Sequence, residues 1–115
     1  MTNVMEREIL HSTCLVETFE KTGAQWPGRI DPENCFAVLC RHWDRKDQDF
    51  AFKEGHMGSL KVFDDYHRAS ERFNEYTYKD FVDEPDPERR REIQLELVQY
   101  AFGEGKVIRS TILFP

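Results

Sequence analysis

Apolar positions in this chain recur mostly three, four and seven residues apart, the period of a helix with one buried face. Met5, Ile9, Val16 and Phe19 follow this rule, with Glu17 four residues before Lys21 and Gly23 just beyond, which predicts a first amphipathic helix. Asp31-Pro32-Glu33 has the form of a helix start: a side chain able to cap free amides, a proline that needs no amide partner, and an acid at the positive end of the dipole. Phe36, Leu39, Cys40 and Trp43 then mark a second helical face, and the charged stretch from Asp44 to Asp49 ends it. The unbroken apolar run from Cys35 to Cys40 would also suit a buried strand, but the start signal favours helix.

From about Ser59 the stripe Val62, Tyr66, Ala69, Phe73 and Tyr76 predicts a third helix. A second Asp-Pro-Glu start at Asp86, Pro87 and Glu88 leads into Ile93, Leu97, Tyr100 and Ala101, a fourth helix stopped by Gly103. Ile93, Leu95 and Leu97 also alternate as a strand would, and capping again decides for helix. Phe50-Ala51-Phe52, followed by Lys53-Glu54-Gly55 and Gly58-Ser59, suggests a short strand and turn, or a hairpin continuing into Leu60 and Val62. Val107 to Phe114 is β-branched or bulky and reads as a terminal strand. The expected fold is therefore α+β and predominantly helical, with about four helices, a C-terminal strand and a candidate short hairpin, on one domain spanning residues 1–115. An all-α bundle is the alternative. A lone strand needs a partner. For the terminal strand that partner is the Phe50 to Val62 region, a strand misread as helix, or another copy of the chain, so homo-oligomerisation through the C-terminal strand enters as an expectation.

Composition sets the class of protein. With 115 residues, 39% of them hydrophobic and 13% aromatic, the chain has enough apolar area for one core. Twenty-two acidic against 16 basic residues give a net charge of -6, which opposes non-specific binding to nucleic acid or anionic membrane. No membrane partner and no direct nucleic-acid binding are expected. There is no run of 18 apolar residues, and Glu6, Arg7 and Glu8 interrupt the start, so the expected compartment is the cytoplasm. The odd set Cys14, Cys35 and Cys40 fits free thiols in a reducing environment.

Candidate chemistry is sparse. His11, Cys14, Cys35, Cys40 and His42 are donors of the kind that fill a zinc shell, but their spacing is not the tight knuckle and Cys40 lies within an apolar stripe. Ordinary buried cysteines are the stronger reading, and no metal or cofactor is expected. The same thiols lack the exposed, electropositive setting of a nucleophile. His67 lies close to Asp64 and Asp65, yet such pairs arise by chance on any charged helix. No phosphate-binding glycine motif occurs, and Gly103-Glu104-Gly105 lacks the helix start and basic residue of a cradle. Arg89-Arg90-Arg91 could grip phosphate, with Tyr76 or Tyr78 as a stacking platform, but it stands between Glu88 and Glu92 and after an acidic segment.

Two places remain for a partner. Trp26, in the loop Gly23 to Arg29, either plugs the core, the favoured reading, or sits in an interface. Asp80, Phe81, Val82, Asp83, Glu84 and Asp86 form an acidic segment with an apolar pair inside it, suited to a basic protein surface. The expected function is a small acidic, non-enzymatic protein-binding module of inhibitor, antagonist or adaptor type, such as an immunity protein, an antitoxin or a phage-borne inhibitor of a nucleic-acid enzyme. A small Cys/His metal protein or enzyme is the alternative.

Overall fold

The structure, a computed structural model, describes residues 10–21, 23–44, 49–51, 60–76 and 93–113. In chain order the elements are α1 (Ser12–Glu20), β1 (Cys35–Asp44), β2 (Asp49–Ala51), β3 (Leu60–Phe63), α2 (Tyr66–Glu75), β4 (Ile93–Ala101) and β5 (Glu104–Leu113). The five strands form one antiparallel sheet in the order β2-β1-β4-β5, with β3 also paired to β1. The predominantly helical fold expected above, and the all-α alternative with it, are thereby overturned: the described residues hold two helices against five strands.

The error lies in β1. Successive side chains of a strand point to opposite faces. Cys35, Ala37 and Leu39 pack with Leu15 and Phe19 of α1, while Val38 and Cys40 pack with Ala69 and Phe73 of α2. A helix covers each face of the sheet, so every position along this stretch is apolar and no alternation appears. Its apolar positions at i, i+3, i+4 and i+7 imitate a helical stripe only because the run is nearly continuous. Burying a side chain such as Leu39 completely contributes about 1.5–3 kcal/mol.

Asp31-Pro32-Glu33 builds a turn instead of a helix. Asp31 Oδ1 accepts the Glu33 N–H at 2.9 Å, Asp31 Oδ2 accepts from Asn34 Nδ2 at 3.1 Å, and the Asn34 N–H donates to the Asp31 carbonyl at 3.0 Å. The same aspartate and proline that start helices serve equally at the first two positions of a β-turn.

β4 replaces the expected fourth helix. Val98 and Tyr100 face α1, whereas Ile93, Leu95 and Leu97 face α2, and the ladder to β1 runs unbroken from Cys35 opposite Tyr100 to His42 opposite Ile93. The alternation of Ile93, Leu95 and Leu97 was the correct signal. The Asp86 to Glu88 start lies outside the described residues. This ladder also settles the partner of the C-terminal strand within the chain: β5 pairs with β4.

β2 and β3 both pair with the free side of β1, at opposite ends of it. His42 stands opposite Ala51, but Leu39 stands opposite Leu60, where an uninterrupted ladder would need residue 54. The two pairings with β1 therefore differ in register by six residues. The strands anticipated near Phe50 and Leu60 exist, but their partner is β1.

Both remaining helices match the expected positions in part. α1 ends before Gly23, whose φ of 97° suits glycine, and Glu17 meets Lys21 at 3.7 Å. Its buried residues are Ser12, Leu15 and Phe19, with Val16 half-buried, while Met5 and Ile9 of the expected stripe lie outside the described residues. α2 is capped by Asp65, which accepts the Arg68 N–H at 3.2 Å, and buries Ala69 and Phe73 with Tyr76 just beyond. Val62, expected in that helix, belongs to β3.

Candidate functional site

Among the described residues the one non-glycine residue with positive φ lies in the turn between β4 and β5. Ala101 opposes Glu104, leaving a two-residue loop of Phe102 and Gly103. Both have positive φ, 52° and 84°, the signature of the hairpin turn whose twist matches that of its strands. Such turns favour Asn-Gly, because asparagine tolerates the left-handed region and a bulky aromatic does not. Here the first position is an aromatic side chain that is 91% exposed.

Neighbouring segments hold that turn in place. The Phe102 N–H donates to Asn34 Oδ1 at 3.1 Å, and the Gly103 N–H donates to the Glu33 carbonyl at 3.0 Å. A Cβ on Gly103 would meet Ser12 Oγ at 3.2 Å, so the tip also lies close against the start of α1. Beneath it the Tyr100 hydroxyl donates to the Leu10 carbonyl, and burial together with the nearby Cys35 thiol raises the phenol's pKa. The phenylalanine is therefore presented on a braced support and touches water instead of the core.

Its surroundings are acidic. Asp31, Glu33 and Glu104 are all exposed, and each is within two residues of Phe102 or of the turn that bonds to it. Asp31 is held below the usual carboxylate range, first by the Glu33 N–H and then by the Asn34 amide, so it stays charged in mild acid. Arg29 and Lys106 stand further along the same segments.

The residues singled out by sequence fall elsewhere. Trp26 is half-buried: its ring meets Phe19 edge-on at 5.4 Å between centroids, and its Nε1 donates to the Ile30 carbonyl at 2.8 Å. It packs against the α1-side core, as the core-plug reading has it. Asp80, Phe81, Val82, Asp83, Glu84 and Asp86, and with them Arg89 to Arg91, lie outside the described residues. The cysteines do not converge. Cys35 and Cys40 are buried on opposite faces of β1, and Cys14 is exposed on α1. Burial, reinforced by Asp31, pushes the Cys35 thiol up to about 12, and burial raises Cys40 as well, so both are held as protonated thiols. Among the described residues no group of three or more His, Cys, Asp or Glu is arranged to hold a metal. His67 Nε2 meets Glu71 at 3.0 Å on the exposed flank of α2.

Among the described residues one charged pair is buried: Arg41 of β1 bonds to Glu96 of β4 beside Gln94 on the α1 face of the sheet. Each charge is matched by the other, which gives the pair the character of a register lock. No helix among the described residues is long and apolar enough to cross a membrane. No protein-family model, curated protein or solved structure matches the chain.

Sequence reasoning passed over Phe102 because Phe-Gly reads as the end of an apolar stretch. The signal was available: once Leu95, Leu97 and Tyr100 are placed on a strand, Phe102-Gly103 falls at the two-residue turn before a second strand.

Proposed function

We propose that this chain is a non-enzymatic protein-binding module of inhibitor or adaptor type that docks on a basic protein surface through the β4–β5 turn. The observation that carries this reading is Phe102, an almost fully exposed aromatic kept in a backbone conformation that disfavours it. Left-handed backbone costs an ordinary residue about 1–2 kcal/mol, and glycine or asparagine there would avoid most of it. Strain retained at an exposed position is characteristic of a contact site. A protruding aromatic can fill a pocket as an anchor, and Asp31, Glu33 and Glu104 around it would steer and orient a cationic partner.

The test is affinity capture with the tagged chain, washed at low and high salt, beside Phe102→Asn. A basic protein retained at low salt, released at high salt and lost with Phe102→Asn is the expected result. A partner retained equally by the variant, or one indifferent to salt, overturns the docking mode. Charge reversal within Asp80 to Asp86 in the same assay asks whether that acidic segment adds to the contact.

A further inference from the structure

We propose that β5 is also a self-association edge, pairing with β5 of a second copy of this chain about a two-fold axis at Thr111. This inference does not depend on the docking of Phe102.

Among the described strands β5 pairs only with β4, and it leaves its other side as the edge of the sheet. α2 packs mainly over β1, β3 and β4, and it meets β5 at Arg109, which donates to Ser70 Oγ at 3.4 Å and lies over the Phe73 ring. Arg109, Ser110, Thr111 and Ile112 are exposed in succession, on both faces of the sheet, with Ile112 43% exposed. A β-branched strand end open on both faces and along its edge is a template for another strand.

The bulge in β5 determines which part of the edge can pair. Val98 stands opposite Val107 but Leu97 stands opposite Arg109, so Ile108 is an extra residue. Val107 packs on the α1 side, while Ile108 and Arg109 both turn to the α2 side, where the Arg109 guanidinium lies 4.3 Å from the Phe73 ring centre. The irregular backbone there, together with Lys106 and Arg109, protects the first half of the edge. Beyond Arg109 the ladder is regular and the sequence is Ser-Thr-Ile-Leu, without charge.

Register selects the partner. A two-residue turn makes Ala101 and Glu104 a hydrogen-bonded pair, and alternation along β4 carries this to Leu97, Leu95 and Ile93. Arg109, Thr111 and Leu113 therefore direct their backbone groups to β4, and Ser110 and Ile112 direct theirs outward. An antiparallel copy centred on Thr111 places Ser110 opposite Ile112 and Ile112 opposite Ser110. Every outward donor on this segment then meets an acceptor. At the axis the two Thr111 residues form a non-hydrogen-bonded pair, about 4.5 Å between Cα atoms, a spacing at which threonine pairs are favourable. No other sequence needs to be supplied, because the segment is complementary to itself.

The experiment is sedimentation equilibrium on the full chain to about 1 mM, with hydrogen exchange read at single amides. A concentration-dependent dimer is expected in which the Ser110 and Ile112 amides become protected, while the Thr111 amide, already bonded to β4, is protected in monomer and dimer alike. With a net charge of -6 on each copy, added salt strengthens this association, the opposite of its effect on docking to a basic partner. Ile112→Lys brings two ammonium groups onto one face at the diagonal spacing of about 7–8 Å, and the dissociation constant should rise at least tenfold. Ser110→Pro removes an outward donor without touching the β4 ladder and should have the same effect. A chain that stays monomeric over the whole range overturns the proposal. So does a dimer whose Ser110 and Ile112 amides exchange freely, or one that both variants leave intact.

Discussion

Arg41 of β1 and Glu96 of β4 are two residues out of register with each other, Arg41 standing opposite Gln94 and Glu96 opposite Leu39, and their side chains meet diagonally across the sheet on the α1 face. Both are nearly inaccessible, with side chains 8% and 11% exposed. Neither charge can be left alone in that setting. Arg41→Met or Glu96→Leu should each cost about 3–5 kcal/mol, while the double replacement should recover most of the loss, because the pair's attraction roughly offsets its desolvation. Urea unfolding of the two single variants and the double variant checks this. Additive losses would mean that the two side chains do not act as a pair.

Adjacent positions in the β4–β5 turn should respond with opposite signs. Phe102→Gly relieves a strained conformation and should raise stability by about 1 kcal/mol. Gly103→Ala puts a Cβ on a residue with φ of 84° and against Ser12 Oγ, and should lower stability by at least about 1 kcal/mol. Thermal and urea unfolding measure both. If Phe102→Gly destabilises the chain, the aromatic is a structural residue and its proposed role as an anchor fails.

Asn34 bonds at one end to the Asp31 carboxylate and at the other to the Phe102 N–H. Asn34→Ala should cost about 0.5–1.5 kcal/mol. It should also speed hydrogen exchange at the Phe102 amide more than at amides in the middle of β4. Uniform acceleration along the hairpin would show that Asn34 does not brace the tip specifically.

Alkaline pH should weaken the fold. Cys35 is raised from an ordinary 9.0 to about 12, and Cys40 and Tyr100 are raised too, mainly by burial. Between the unfolded and folded values the native state holds protons that the unfolded chain has released, so stability falls as pH rises. It should be flat through neutral pH, decline from about pH 9, and continue down past pH 10 as the phenol contributes. Urea midpoints across that range test the trend, and Cys35→Ala should show a shallower decline than the natural chain. An equal slope would remove Cys35 from the account.

Legibility in the sequence followed the environment of each element. α2 was visible because it lies on the surface with one buried stripe, Ala69 and Phe73, which carries the helical period, whereas α1 was found from Val16 and Phe19, of which Phe19 is buried, and its buried Leu15 was passed over. β5 was visible because its exposure leaves β-branched residues without competing helical spacing. β1 and β4 were misread for one shared reason. In both, a local Asp-Pro-Glu signal was given more weight than it carries: in β1 burial on both faces had removed the alternation that identifies a strand, whereas in β4 the alternation of Ile93, Leu95 and Leu97 with Gln94 and Glu96 was present and was overruled. At the candidate site, Phe102 was hidden by the misreading of β4, since an exposed aromatic at a tight turn has no meaning until the turn is known. Trp26 was better read, because a tryptophan in a glycine and proline loop packs as expected on Phe19.

The bulge at Ile108 also gives the chain slack in length. Deleting Ile108 would forfeit its packing beside α2 but leave Arg109 opposite Leu97 and every later pair in place. A deletion at Thr111 has no such refuge: Ile112 and Leu113 would each move to the other face of the sheet. Two deletions three residues apart in the same strand should thus differ in kind, one a loss of contact and the other a loss of register.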